Sequence, residues 1–107
     1  MADDTPVLDL LTGMNADAIE ASSLDPKSLM LVRIAALVAM DAPPVSYLLN
    51  LEIAGELEVD SEDVQGVLAA VAPIVGAPRV VSAASKMVRA LGIKLDLEEL
   101  EAKAPAA

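Results

Sequence analysis

Residues 29–40 are apolar at every position but one, Arg33, and they follow a strong helix start. Asp25 can accept from the free N–H groups of a first turn. Pro26 fits the position behind it, because the N–H that proline lacks would be unpaired there anyway. The helix predicted from Pro26 to about Met40 carries Leu29, Met30, Leu31, Val32, Ile34, Leu37, Val38 and Met40 around nearly its whole circumference. A helix that is apolar all round needs cover on every side. A domain of 107 residues buries roughly 60–70% of the surface its unfolded chain exposes, and it can hardly surround one of its own helices. The pattern therefore predicts both a helical domain and self-association.

Proline, glycine and acidic residues mark the other boundaries. Thr5-Pro6 opens a first helix with Val7, Leu8, Leu10 and Leu11 on its apolar side. Gly13 weakens it, a shorter helical piece is expected over 15–21, and Ser22-Ser23 ends it. Asp41-Ala42-Pro43-Pro44 is a turn, since each proline biases its predecessor away from helix. The next helix runs from 45 to about 57, with Leu48, Leu49, Leu51 and Ile53 expected inward. Asp60 or Ser61 caps a helix over 62–75, with Val64, Val67, Leu68, Val71, Ile74 and Val75 inward and Pro73 disturbing its last turn. Gly76-Ala77-Pro78 separates it from a helix ending near Gly92, with Gly76 suited to a left-handed position. Asp96 is expected to cap a last short helix, with a Glu99–Lys103 pair and a frayed tail over 104–107. The expected class is all-α, a bundle of five to six helices. It forms a single domain over 1–107: an arm over 1–23, a core over 24–91, and a short C-terminal helix and tail over 92–107.

The chain has no Cys, His, Trp or Phe, and Tyr47 is its only aromatic residue. The core must be aliphatic. Disulfides, thiolate chemistry and imidazole catalysis or ligation are excluded. The net charge is −10, a field that repels nucleic-acid phosphates and anionic membranes. Neither is an expected partner. Residues 1–25 carry six acids and no base, residues 41–63 seven acids and no base, and residues 79–94 four bases and no acid. The basic segment either forms a solvated face or meets acidic segments of the same or a neighbouring subunit. The N-terminus lacks a leader pattern, and the longest apolar run falls short of the ~20 residues a membrane span needs. The expectation is a cytoplasmic protein. Glu52, Glu56, Glu58, Asp60, Glu62 and Asp63 cluster without the spacing of a calcium loop and read as a solvated face, so no metal and no cofactor is expected. Met14, Met30, Met40 and Met87 read as core fillers or as parts of a malleable pocket.

Three stretches carry a family resemblance. They are Leu24-Asp25-Pro26-Lys27 with the apolar run behind it, Val59-Asp60-Ser61-Glu62-Asp63-Val64, and Val71-Ala72-Pro73-Ile74-Val75-Gly76-Ala77-Pro78. In order and spacing they resemble the carboxymuconolactone decarboxylase family, which includes the alkylhydroperoxidase D-like proteins, over about residues 24–91. The resemblance implies a helical fold assembled as trimers or hexamers. It also implies one of two chemistries: thiol-based reduction with a C-x-x-C pair and a His, or lactone decarboxylation with the His. Aligned on the 59–64 turn, the cysteine positions fall near Pro43 and Ser46 and the His position at Asn50. Aligned on Ala54-Gly55, the His position falls at Tyr47. No Cys or His fills these positions, so the thiol chemistry is excluded.

The candidate ligand-binding residues are Arg33, Ser46, Tyr47 and Asn50. Arg33 lies in an apolar stripe, where a cation must pair or snorkel. It either forms an ion pair with an acid such as Glu52 or Glu56, or with a neighbouring subunit, or it clamps a carboxylate ligand between helices. Ser46, Tyr47 and Asn50 either bond a ligand in a degenerate pocket or serve as a cap, an interface or core-edge ring, and a helix-surface amide. The leading expectation is a non-redox binding or assembly protein that partners itself, with a small carboxylate or another protein as further partner. The alternatives are a lyase or decarboxylase acting on a carboxylate or lactone through Arg33 and Asn50 or Tyr47, and a structural accessory subunit.

Overall fold

The computed structural model of the chain describes residues 5–103, with side chains through residue 90. Five α-helices follow one another: α1 (Pro6–Ala21), α2 (Pro26–Met40), α3 (Pro44–Glu56), α4 (Ser61–Val75) and α5 (Ala77–Lys103). No strand occurs among the described residues.

The helix starts follow the expected chemistry. Asp25 accepts from the Ser28 N–H at 3.1 Å, and the Ser28 hydroxyl donates to Asp25 at 2.7 Å. Asp60 and Asp63 form a reciprocal capping box, each accepting from the other's backbone N–H at 2.9 and 3.1 Å. Lys27 pairs with Asp63 at 3.3 Å and ties the start of α2 to that of α4. Thr5 precedes α1 without capping it; its hydroxyl donates to the Asp9 carboxylate at 3.3 Å.

The ends of α2 and α3 share one geometry. Asp41 and Glu58 adopt left-handed backbone at φ 56° and 65°. The Ala42 N–H then reaches the Leu37 carbonyl and the Val59 N–H the Ala54 carbonyl, both at 3.0 Å. These are Schellman closures, in which the residue after the left-handed one reaches back to an otherwise orphaned carbonyl. Gly76, at φ 90° and ψ 156°, is extended in a region open only to glycine, not left-handed helical.

Two expected breaks are absent. α1 continues through Gly13, and α5 continues through Gly92 and Asp96 to Lys103. One glycine costs about 1 kcal/mol in a helix interior, too little by itself to end a helix. Asp96 therefore caps no separate helix. The Glu99–Lys103 side chains and the tail over 104–107 lie outside the described residues.

α2 is the central element, packing against α3, α4 and α5, while α5 also packs against α3 and α4. The buried core joins Met30, Ile34 and Val38 of α2 to Tyr47 and Ala54 of α3 and to Ala83, Met87 and Ala90 of α5, with Ala42 and Val59 from the turns. Other inward assignments are corrected. Leu49, Ile53 and Ile74 are exposed, as are Met14 and Met40. α3 turns Tyr47 and Ala54 inward together with the partly buried Leu48 and Leu51, because Ser46, Asn50, Glu52 and Glu56 fall on the side of the helix that Leu49 and Ile53 share. α2 is not covered all round within one chain: Val32 and Met40 remain at the surface. α1 contributes no buried residue. No helix among the described residues is long and apolar enough to cross a membrane.

Candidate functional site

Pro44 starts α3 and sets its first two turns, which carry Ser46, Tyr47 and Asn50. Ser46 is half-buried and lies inside the helix; Pro43 precedes the first turn, so Ser46 is not the cap. The Asn50 side-chain amide donates to the Ser46 carbonyl at 2.8 Å, one turn back. Tyr47 is 0% exposed and is a central core ring, not an edge or interface ring. Its hydroxyl has no hydrogen-bond partner among the described residues. Burial, and then the nearby Asp41 charge, push the Tyr47 phenol above its ordinary pKa.

Arg33 stands apart from these three. It is half-buried on α2, beside the Met30–Ile34–Val38 face, and its guanidinium donates to Asn15 Oδ1 on α1. Neither of the two ion pairs among the described residues, Lys27–Asp63 and Lys86–Asp41, includes it. The structure thus brings Ser46 and Asn50 into direct contact, sets Tyr47 beneath them in the core, and directs Arg33 to α1.

A polar cluster closes the end of α2. Lys86 donates to the Asp41 carboxylate at 2.9 Å and to the Asp41 carbonyl at 3.1 Å. The Ser82 hydroxyl donates to the same carboxylate at 2.7 Å, and Arg79 donates to the Ala39 carbonyl at 2.7 Å. These α5 donors occupy the negative end of the α2 dipole. The Ser82 hydrogen bond, and then Lys86, hold the Asp41 carboxyl below its ordinary range. Sequence reasoning did not single out this cluster. The signal was the base-only run over 79–94, of which Arg79 and Lys86 reach the end of α2 within the same chain.

Two apolar grooves open at the surface. One, of about 270 Å³, lies between α4 and α5 over Leu51, and its lining includes Val64, Leu68, Met87 and Val88. The other, of about 300 Å³, is lined by Pro44, Val45, Leu48 and Ala90. Among the described residues, neither lining contains a charged residue or any of Arg33, Ser46, Tyr47 and Asn50. No group of three or more Asp or Glu among the described residues is placed to hold a metal ion. Within the acidic cluster, Asp60 and Asp63 serve the capping box, and Asp63 pairs with Lys27.

A cysteine-free, all-helical domain with a Pro-initiated helix hairpin at its centre is the class these features define. The model of the carboxymuconolactone decarboxylase family matches residues 5–90, and the chain belongs to that family. The match begins at the start of α1, well before the motifs that carry the resemblance in the sequence. No curated protein and no solved structure gives a significant match.

Proposed function

We propose that the chain is a non-redox member of its family that acts as a self-assembling binding protein, holding its ligand or partner in apolar grooves between helices. The observation that carries this reading is α1. Val7, Leu8, Leu10, Leu11, Met14 and Ile19 are each between 50% and 66% exposed on one 16-residue helix. Scattered surface hydrophobics are ordinary, but a contiguous apolar face of this kind marks an interaction surface. The described residues that line both grooves carry no charge, which favours apolar side chains over a small carboxylate, since a carboxylate needs a cation or clustered N–H donors. Light scattering at micromolar concentration tests the assembly and is expected to give a mass of two or more chains. The mass of a single chain at that concentration overturns the reading.

A further inference from the structure

We propose that α1 is a strap that closes onto the outer side of α2 in its own chain, with the Asn15–Arg33 hydrogen bond as the rung that sets its register. The structure shows the strap held at that rung and not seated. Arg33 of α2 donates to Asn15 Oδ1 of α1. Yet no residue of α1 is buried, and Leu8, Leu11 and Ile19 remain 62%, 52% and 50% exposed.

The register of closure follows from the spacing. Residues 22–25 join the two helices, a length that antiparallel helix pairs use. Asn15 and Arg33 are each 9 residues from Leu24, Ile19 and Leu29 each 5, and Leu8 and Met40 each 16. In an antiparallel pair these partners stand at matching heights. At 100° per residue, Leu8, Leu11 and Ile19 fall within about 40° of Asn15, and Leu29, Leu37 and Met40 within about 40° of Arg33. Both sides are therefore apolar around the rung. Met40 is 75% exposed, so its seat opposite Leu8 is open.

Charge does not oppose closure. Asp9, Asp17 and Glu20 lie about 120° or more around α1 from Asn15. Lys27 of α2 is turned to Asp63 on α4. Arg33 is the one charge between the closing sides, and Asn15 gives it an acceptor without adding a second charge, so the guanidinium is not left unpaired when covered. The linker does not hold α1 away. Its bonds are local: the Ser22 N–H to the Ala18 carbonyl, the Leu24 N–H to the Ser22 hydroxyl and the Ser28 N–H to Asp25. Closure covers the apolar side of α1 on which the assembly reading rests, so a chain closed on itself is not open to a partner. That competition rests on the assembly reading; the closure does not.

The chain has no native cysteine, which makes the test direct. The full chain carries Leu8→Cys and Met40→Cys, both at exposed positions, and is treated with a short bis-maleimide. The expected product has the mass of one chain and forms at a rate independent of protein concentration. A control pair, Asp9→Cys with Met40→Cys, puts the first thiol on the far side of α1 and is expected to link much more slowly. Adding Asn15→Ala to the first pair should slow linking about fivefold through loss of the rung, although alanine favours helix more than asparagine does. A product of two-chain mass alone, rising with concentration, overturns closure and leaves the assembly reading standing. Equal rates for the two pairs overturn the facing assignment, and a rate unmoved by Asn15→Ala overturns the rung. A chain that light scattering finds single, and that still yields the intrachain product, removes the assembly reading and keeps the strap.

Discussion

Lys86 closes the end of α2 by donating to two atoms of Asp41, its carbonyl at 3.1 Å and its carboxylate at 2.9 Å, across 45 residues of sequence. The Ser82 hydroxyl shares the carboxylate; its hydrogen bond is the first cause of the lowered titration, and Lys86 adds both a hydrogen bond and its charge. Ser82→Ala and Lys86→Met are therefore each expected to move the Asp41 pKa upward. A side-chain carboxyl NMR titration of each variant checks this, and a variant that leaves Asp41 unmoved contradicts the role of that residue.

Asp25, Asp41 and Asp63 all titrate below their ordinary values. The Ser28 hydroxyl is the first cause at Asp25, the Ser82 hydroxyl at Asp41 and the Asp60 N–H at Asp63. At these sites the folded chain binds fewer protons than the unfolded chain near and below pH 4, so the stability they contribute is present above about pH 4 and lost as pH falls through the lowered values. The urea midpoint should hold from neutral pH to about 5 and then drop toward pH 3. A midpoint that stays flat down to pH 3 sinks the assignment.

Tyr47 combines full burial with a hydroxyl that bonds to nothing among the described residues. Tyr47→Phe keeps the ring and removes the cost of the orphaned group, so it should stabilise the fold by about 1 kcal/mol. The folded phenol also titrates above its unfolded value, so the wild type should lose stability above about pH 10, where the unfolded phenol ionises first. The variant should lack that component. A Tyr47→Phe protein less stable than wild type would mean that the hydroxyl has a partner.

Ile34 is fully buried at the middle of the Met30–Ile34–Val38 face. Ile34→Ala is expected to cost about 2–5 kcal/mol in chemical denaturation, a large part of the stability of a domain this small. By contrast, Val32→Ala, on the exposed side of the same helix, should cost much less in a single chain. Equal losses would mean that the outer side of α2 is also covered.

Backbone sign separates two further positions. Gly76 holds φ 90°, and a Cβ there meets nothing closer than Pro78 Cδ at 3.8 Å. The cost of Gly76→Ala is thus conformational, about 1–3 kcal/mol, because this extended positive-φ region is open to glycine alone. Glu58 holds φ 65° with a side chain, and Glu58→Gly should relieve part of the penalty of the left-handed conformation, giving up to about 1 kcal/mol of added stability. Opposite shifts in melting temperature are the expected result, and shifts of the same sign contradict the account.

The helix starts were legible because proline and aspartate act within one turn of where they stand. Asp25-Pro26 and the 60–63 segment needed no tertiary information. The orientation of α3 was legible in part. At 100° per residue Ser46, Asn50, Glu52 and Glu56 share one side with Leu49 and Ile53 and leave Tyr47, Leu51 and Ala54 opposite, so the polar residues mark the exposed side, and an inward assignment from apolar identity alone misses it. Arg33 was legible as a cation needing a partner, but the partner is Asn15, 18 residues away on another helix. The closure of α2 by α5 was visible only as an imbalance of sign over 79–94. The grooves had no sequence signature, since they arise from the space left between α4 and α5.

Because the single aromatic ring of the chain sits at the centre of its core, all aromatic absorbance and emission reports on one place. Near-ultraviolet dichroism and tyrosine fluorescence in this protein carry no surface background, and a change in either is a change around residue 47. The chain holds its own optical probe, which can follow loosening of the interior while backbone helicity is read separately.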